Sequence, residues 1–292
     1  MAARMEKVGE VSSIYFYPLK SCRGISIEEA ECDEFGIKYD RHWAILDRGG
    51  RITSLSSKGE LAMVVPTMLK DSIRIEAPGM EELFIPMETS GSGRQQVEVD
   101  LHGLSGTGVH VSDEANEWFT KYLGKPYSLL AFDRSTCQPR ALHLDKKFGD
   151  RPLVKQSDKL AFQHKCPYHL ISENSLEKVN EICEKLHCEM QRFRPNIVVK
   201  GCDAFAEDEW EMLKIGDTEF RCLHRCPRCI LPNVDPETGF RDKDEPFKSL
   251  RKFRIVPKEE DAVFGSAPIL GRNLGIEKCG VIKVGDPVYA KI

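Results

Sequence analysis

The sequence predicts a mixed α+β protein that is mostly β, built on a barrel or sandwich core rather than a doubly wound parallel sheet. Three observations predict it: many short runs of β-branched and aromatic residues, glycine and proline turns between them, and few helical patterns. The chain has 292 residues, 41% of them hydrophobic, which is enough for one large domain or two ordinary ones.

The first third of the chain is predicted to consist of strands and hairpins. VSSIYFYPL alternates loosely and is rich in β-branched and aromatic residues. HWAILDRGGRITSL predicts two strands joined at Gly49-Gly50, and SIRIEA and ELFIPM flank a second turn at Pro78-Gly79. QQVEVDLHG and VHVS continue the pattern. This part of the chain is therefore expected to form β-sheets of short strands.

Two helices are predicted. SDEANEWFTKYLG is capped by Ser112 or Asp113 and ended by Gly124. A second helix begins at Ser172 and runs through SENSLEKVNEICEKLHC. Four later segments predict further strands, and they are NIVVKG, EMLKIG, TEFRCL and GVIKVGDPVYAKI.

Residues 133–160 are polar and contain Pro139 and Pro152, so they are predicted to connect two domains. The expected division is a β-rich N-terminal domain at 8–132 and a C-terminal domain at 161–292.

Charge and hydropathy exclude several protein classes. A net charge of −4 argues against a nucleic-acid binder that reads phosphates with its whole surface. No apolar run approaches the roughly 20 residues that span a bilayer, and the polar start MAARMEKVGEVSS lacks a signal-peptide core. Eleven cysteines, mostly scattered singly, predict reduced thiols rather than a disulfide framework. We therefore expect an intracellular protein with no visible anchor.

One segment, CLHRCPRCILPNVDPETGF at 222–240, concentrates chemistry. It places Cys222, Cys226 and Cys229 within eight residues, with Arg225 and Arg228 among them. Four interpretations are open: a zinc site, a redox dithiol, a packed cysteine-rich turn, and a thiolate ligand to a soft metal whose anionic cofactor is held by arginines. The cations favour chemistry, because a cation beside a thiol stabilises the thiolate.

The first three interpretations each face an objection. A structural zinc site needs four ligands, usually as two separated pairs, and no second pair is present. The surroundings do not resemble a thioredoxin-like βαβ unit. A packed turn has no need of two arginines. The fourth interpretation requires further phosphate-directed groups on loops near strand ends.

Such groups occur near strand ends elsewhere in the chain. Each alone is more often a solvated surface residue. They are Lys20 and Ser21 in YPLKSCRG, Arg41 in YDRHWAI, Thr53 and Ser54 in RITS, and Arg194 and Asn196 in RFRPNIVV.

Together, in this order, these segments resemble one family. YPLKSCRG, DRHWAILD, RFRPNIVV, CPRCILPNVDPETG and IKVGDPVY are similar to the MOSC-domain proteins, and among them to the mitochondrial amidoxime-reducing components. The resemblance covers Val8 to Tyr289. It implies a MOSC β-barrel core at 161–292, with a metal loop at 222–240, preceded by an N-terminal β-rich domain.

The resemblance also implies a molybdenum cofactor, a molybdopterin dithiolene that bears a phosphate. The position that matches the protein ligand of the metal and the catalytic centre is Cys229, and Cys226 is a bystander. The positions that match cofactor-binding residues are Lys20, Ser21, Arg41, Thr53, Lys165, Cys166, Arg194, Asn196, Pro227 and Arg228. Pro227 stands where the family commonly has serine, and Lys165 and Cys166 stand where it often has small hydroxyl residues. Asp235 and Thr238 are expected to order the turn after the metal loop.

The implied activity is reduction of N-hydroxylated compounds such as amidoximes and hydroxylamines. Cytochrome b5, reduced by cytochrome b5 reductase, is the implied electron donor, and the mitochondrial outer membrane is the implied location. Neither pyridoxal phosphate nor nucleic acid is expected as a ligand. The competing function is a sulfur carrier that uses a persulfide on Cys229 or Cys226, and a third is a structural zinc-bearing β-domain.

Overall fold

The computed structural model describes residues 5–88, 95–101, 104–141, 155, 158–256 and 265–292. The strands and helices in these ranges follow in chain order. They are β1 (Glu6–Phe16), β2 (Ile25–Ile27), β3 (Glu29–Asp33), β4 (Gly36–Ile37), β5 (Trp43–Asp47), β6 (Val65–Met68), β7 (Ser72–Glu76), β8 (Leu83–Pro86), β9 (Gln96–Leu101), β10 (Leu104–His110), α1 (Asp113–Leu123), β11 (Tyr127–Ala131), β12 (Arg140–Ala141), β13 (Lys159–Leu160), β14 (Tyr168–Ser172), α2 (Glu173–Ile182), β15 (Ile197–Lys200), β16 (Met212–Ile215), β17 (Thr218–Pro227), α3 (Phe247–Phe253), β18 (Ile269–Lys278), β19 (Gly280–Lys283) and β20 (Pro287–Lys291). Short 3₁₀ turns lie at Gly59–Met63, Met190–Phe193, Ala206–Asp208 and Leu231–Asn233.

A closed β-barrel forms the larger sheet. Its strands follow the order β15-β14-β18-β17-β16-β20-β1, and β1 also pairs with β15, which closes the ring. β14 and β15 pair in parallel, and the other barrel pairs are antiparallel. Ile14 lies opposite Ile197 and Gly9 opposite Val288, so the first strand of the chain completes a barrel made of late strands. The predicted mostly β architecture with a barrel core is confirmed.

The rest of the N-terminal region forms smaller sheets with their own core. β5-β11-β10-β9 is one sheet and β6-β7-β8 another. Trp43, Ile45, Phe119 and Leu129 are among the buried residues of this core. The barrel interior is a separate cluster that includes Ile14, Tyr168, Phe220 and Leu274. Two cores beside each other leave a boundary where loops from both can meet.

The first predicted helix is confirmed, since Ser112 caps α1 and Gly124 ends it at φ 73°. The second begins after Ser172 as predicted but ends at Ile182, so its expected extension through Cys188 is wrong. The amide of Asn180 binds both the N–H (2.7 Å) and the carbonyl (3.1 Å) of Cys188, which turns the chain back onto the helix.

Several described elements have no counterpart in the prediction, and α3 and β18 are among them. β18 carries Gly271 and Gly275, and glycine normally argues against a strand. At Gly271 the structure explains the residue: φ is +78°, and a Cβ there would lie 2.4 Å from the carbonyl oxygen of Leu170. The glycine therefore permits the close approach of β14 rather than marking a loop.

The predicted connecting segment is only partly described, because residues 142–154 and 156–157 lie outside the described ranges. Its described parts include β12, which pairs with β13, and Asp158, which is buried against Arg221. The division into 8–132, 133–160 and 161–292 stays a prediction.

Candidate functional site

A cavity of about 470 Å³ lies among loops of both regions. Ten of the eleven residues predicted for the site line it: Lys20, Ser21, Arg41, Lys165, Cys166, Arg194, Asn196, Pro227, Arg228 and Cys229. These residues come from segments more than 200 positions apart in the chain. No carboxylate is among the described residues that line the cavity. The walls are therefore rich in cations and suited to an anionic ligand.

The eleventh residue, Thr53, does not line the cavity. Its carbonyl accepts a hydrogen bond from the Ser21 hydroxyl (3.3 Å), and the same hydroxyl accepts one from the Leu55 N–H (3.0 Å). Thr53 thus holds the loop that carries Ser21, whereas Ser54 and Ser56 of the same segment line the cavity directly.

Three of the lining residues have left-handed backbones. Ser21, Arg41 and Arg194 have φ values of 74°, 50° and 55°. A non-glycine residue pays a steric cost in this region, and such residues concentrate at ligand sites. The loops after β1, after β4 and before β15 are thus held in conformations that direct these side chains to one place.

Arg41 is held by several partners on the cavity wall. Its Nη1 lies 2.5 Å from the buried Asp40 carboxylate and donates to Asn196 Oδ1 (3.2 Å), while Nη2 donates to the carbonyl of Arg194 (3.2 Å). Asn196 Oδ1 also accepts from the N–H of His169 (3.2 Å). Asn196 therefore joins the arginine loop to β14.

Arg194 lies beside Arg41 without a carboxylate partner of its own in the described part of the chain. Its Nη1 donates to the Cys22 carbonyl (2.8 Å), and its Nη2 is buried with no hydrogen-bond partner. Burial lowers the pKa of Arg194 to about 10. Both guanidinium groups lie over the ring of Tyr17, at 4.3 Å for Arg41 and 4.1 Å for Arg194.

Lys20 adds a third cation. Its Nζ donates to the carbonyl of Phe162 (2.8 Å). Burial, followed by the charges of Arg140, Arg41 and Arg194, lowers the pKa of Lys20 well below its ordinary value. A positive charge at this position therefore gains stabilisation from any anion that enters the cavity.

Arg228 connects the metal loop to the barrel. Its Nη2 donates to the carbonyl of Phe193 (2.7 Å), and its Nη1 lies 3.2 Å from both His169 Nε2 and Cys226 Sγ. Burial and then the charge of Arg228 lower the pKa of His169 well below its ordinary range, so this histidine is neutral. A neutral imidazole can accept a hydrogen bond from Arg228, which fixes the guanidinium.

The three clustered cysteines have different environments. Cys222 is fully buried in the barrel core, and burial raises its pKa to about 12. Cys226 is half-buried, and Cys229 is exposed where it lines the cavity. Within the described ranges no group of three or more His, Cys, Asp or Glu residues is placed to hold a metal ion. The three cysteines that are close in the sequence therefore do not form a three-thiol metal site in the described part of the chain.

The turn after the metal loop is ordered as expected. Asp235 Oδ1 accepts hydrogen bonds from the N–H groups of Glu237 (2.9 Å) and Thr238 (2.8 Å), and the Thr238 hydroxyl accepts from the N–H of Phe240 (3.3 Å). Asp235 also pairs with Arg192 (2.5 Å), two residues before Arg194. The turn is thereby tied to the segment that carries Arg194.

Sequence reasoning missed several lining residues. Ser54 is named beside Thr53 as a candidate phosphate-directed group but is not among the positions matched to cofactor-binding residues. The lining residues without a recognisable sequence signal include Gln163, His169, Phe193 and Asn273. Gln163 is buried and donates to the carbonyls of Phe35 (2.7 Å) and Asp40 (2.8 Å), so it joins the cavity wall to the Arg41 loop. Such residues are apparent only from their neighbours in space.

Two family descriptions match this chain. Residues 8–126 match the MOSC N-terminal beta barrel domain, and residues 157–289 match the MOSC domain. The chain belongs to the MOSC-domain family. The cavity is lined by residues of the MOSC domain together with loops of the N-terminal region.

Two named relatives align with nearly the whole length of this MOSC protein. Mitochondrial amidoxime reducing component 2 of Rattus norvegicus is 36% identical over 99% of the chain and 85% of its own length. Mitochondrial amidoxime-reducing component 1 of Homo sapiens is 33% identical over 98% and 84%. The crystal structure of the YuaD protein from Bacillus subtilis overlaps 98% of both chains at 10% identity, with a TM-score of 0.42 that is too low to support an argument.

No helix among the described residues is both long enough and apolar enough to cross a membrane.

Proposed function

We propose that this MOSC protein is a molybdenum-dependent oxidoreductase that reduces N-hydroxylated compounds such as amidoximes and hydroxylamines. One observation carries the proposal: an exposed thiol, Cys229, shares a cavity with the cations Lys20, Arg41, Arg194 and Arg228. A soft thiolate ligand beside an anion-binding wall is what a metal bound through a phosphate-bearing pterin requires. The relatives are named as amidoxime-reducing components, which supports the proposed substrate class.

The residues present fit such a cofactor. Arg194 lines a cavity that is rich in cations and has no carboxylate among its described lining residues, and the buried Arg194 Nη2 has no hydrogen-bond partner in the described part of the chain. Cys229 is the accessible thiol of the metal loop. We assign Cys229 as the metal ligand, and we assign Lys20, Ser21, Arg41, Lys165, Cys166, Arg194, Asn196, Pro227 and Arg228 to the cofactor walls, with Thr53 supporting Ser21.

The cofactor, when bound, supplies two-electron oxygen-atom chemistry, and the protein supplies binding, orientation and electrostatics. Cys229 sets the ligand field of the metal. Lys20, Arg41 and Arg194 neutralise the anionic group and hold it in place. His169 stays neutral and fixes Arg228 beside the metal loop. Loops of the N-terminal region form part of the cavity wall.

The proposed electron donor is cytochrome b5, reduced by cytochrome b5 reductase, and the proposed location is the mitochondrial outer membrane. Both follow from the family resemblance, and the relatives are named mitochondrial. An electron-transfer encounter of this kind is expected to be weak and sensitive to salt.

The deciding experiment compares wild type with Cys229→Ser and Cys226→Ser after expression in a host that makes the cofactor. We expect wild type to contain molybdenum and pterin and to reduce benzamidoxime. Cys229→Ser should keep its fold and lose reduction by at least about 100-fold, because the soft ligand is lost, while Cys226→Ser stays near wild type. Wild-type turnover in Cys229→Ser would refute the assignment.

One observation favours the alternative of a sulfur carrier. Arg228 Nη1 lies 3.2 Å from Cys226 Sγ, so a charged donor already contacts this sulfur. Labile sulfur on Cys226 or Cys229, in protein without molybdenum or pterin, would support the carrier function instead.

A further inference from the structure

We infer that Tyr17, which does not line the cavity, is a positioning residue: its ring contacts both Arg41 and Arg194 and holds them as a receptor for a doubly charged anionic group. The inference deepens the proposed function, because it names the part of the site that would bind the cofactor's phosphate.

The two arginines pose an electrostatic problem. Arg41 has the Asp40 carboxylate at 2.5 Å, but Arg194 has no carboxylate partner in the described ranges and is in the same buried environment. Like charges at close range repel, and burial strengthens the repulsion because less water screens it. The hydrogen bond from Arg194 Nη1 to the Cys22 carbonyl (2.8 Å) anchors one nitrogen of the guanidinium but supplies no carboxylate charge to offset the repulsion.

The ring of Tyr17 supplies an attraction. The Cζ atoms of Arg41 and Arg194 lie 4.3 Å and 4.1 Å from its centroid, well within the range in which a cation is attracted to an aromatic face. The attraction is larger for desolvated groups than for exposed ones, and Tyr17 itself is 1% exposed. One neutral ring therefore offsets part of the repulsion between two cations without occupying their hydrogen-bond donors.

The ring is itself held firmly. The Tyr17 N–H donates to Asp40 Oδ1 (2.8 Å), so one carboxylate holds both the tyrosine backbone and Arg41. Gly24 packs against the edge of the ring, where a Cβ would lie 2.4 Å from Tyr17 Cε1. The side chain of Tyr17 thus has no room to move away from the arginines.

The hydroxyl of Tyr17 takes no part in this arrangement. It is buried and has no hydrogen-bond partner among the described residues. The face of the ring is therefore the functional group, and phenylalanine should replace tyrosine without loss. By contrast, the side chain of Arg194 lines the cavity in which the anion would bind.

The test measures binding of inorganic phosphate to cofactor-free protein by calorimetry at constant pH and ionic strength. We expect wild type and Tyr17→Phe to bind equally, and Tyr17→Leu to bind about tenfold more weakly, since two cation–ring contacts are lost. Gly24→Ala keeps tyrosine but displaces its ring, so it should weaken binding as well. Phe119→Leu, a buried aromatic substitution in the N-terminal core, serves as the control for general destabilisation.

The outcomes separate this inference from the proposed function. Equal phosphate affinity in wild type and Tyr17→Leu, or no phosphate binding by wild type, would overturn the role of Tyr17 even if the protein reduced benzamidoxime. Weaker binding in Tyr17→Leu that Tyr17→Phe restores would support it, even in a protein found to lack molybdenum. Equal losses in Tyr17→Leu and Phe119→Leu would indicate a structural role only and would also overturn it.

Discussion

At the scale of single residues, the cavity combines half-buried positive charge with an exposed cysteine, Cys229. Lys20, Arg41 and Arg194 are costly to bury together, and the pKa values of Lys20 and Arg194 are lowered chiefly by burial. An anion that enters the cavity would offset this unfavourable electrostatic free energy. A wall of neutral hydrogen-bond donors would be less destabilising, but it would bind a phosphate less strongly.

Anion binding in the cavity should depend on pH through the titration of Lys20. Its pKa in the free protein is lowered, and a bound dianion raises it, so binding takes up a proton between the two values. Affinity for inorganic sulfate should be constant at low pH and fall as pH rises through the lowered pKa of Lys20. Calorimetry in two buffers of different ionisation enthalpy measures the proton uptake. Lys20→Met should abolish it, and the same uptake in both proteins would contradict the assignment.

At the scale of elements, the site depends on where strands and helices begin and end. β14 ends at Ser172, which caps α2, and the turn after α2 leads through Arg192 to the left-handed Arg194. The Arg192–Asp235 pair joins this turn to the segment after the metal loop. The segment that carries Arg194 and the metal loop are therefore coupled by this ion pair and by the hydrogen bond from Arg228 Nη2 to the Phe193 carbonyl (2.7 Å).

The two serine caps should differ in their contribution to stability. Ser112 Oγ accepts from Ala115 N–H (3.1 Å) at a half-buried position, so Ser112→Ala should cost about 1 kcal/mol. Ser172 is fully buried, and its Oγ lies 2.7 Å from Ser175 Oγ, which donates to the buried Glu207 (2.9 Å). Ser172→Ala should therefore cost about 2–3 kcal/mol. Urea unfolding measures both, and equal costs would refute the role of the buried network.

At the scale of the whole molecule, the first strand joins the two ends of the chain. β1 pairs with β15 on one side and β20 on the other, so the barrel closes only when residues 6–16 are in place. The family match to the MOSC domain covers residues 157–289 and does not include this strand. The sequence of the matched domain is thus not a complete barrel.

A fragment of residues 157–292 should not fold alone. It lacks β1, so β15 and β20 would have unpaired edges, and the barrel core would lose Val11, Ile14 and Phe16. Circular dichroism and size-exclusion chromatography should show an unfolded or aggregated fragment beside a cooperative transition for residues 5–292. A sharp thermal transition in the fragment alone would contradict this account.

Much of the fold was predictable because its signals are local. α1 has a capping serine and a terminal glycine that act within a few residues of the helix, and the hairpin turns lie between short strands. β18 was missed because the reason for Gly271 lies in another strand, β14. The end of α2 was missed because a side-chain amide of the helix binds a residue eight positions ahead.

The sequence by itself determined the β-rich class, the serine N-caps of α1 and α2 and the residue types of the site, since these depend on local propensity, turn chemistry and motifs. Only the tertiary structure decided which cysteines of the metal loop line the cavity: Cys222 lies in the barrel core, whereas Cys226 and Cys229 line the cavity. It also decided that Thr53 supports rather than lines the site, and that the ring of Tyr17 contacts both Arg41 and Arg194. The physical reason is that burial, charge repulsion and ring contacts arise between segments that are distant in sequence and meet only when the barrel closes.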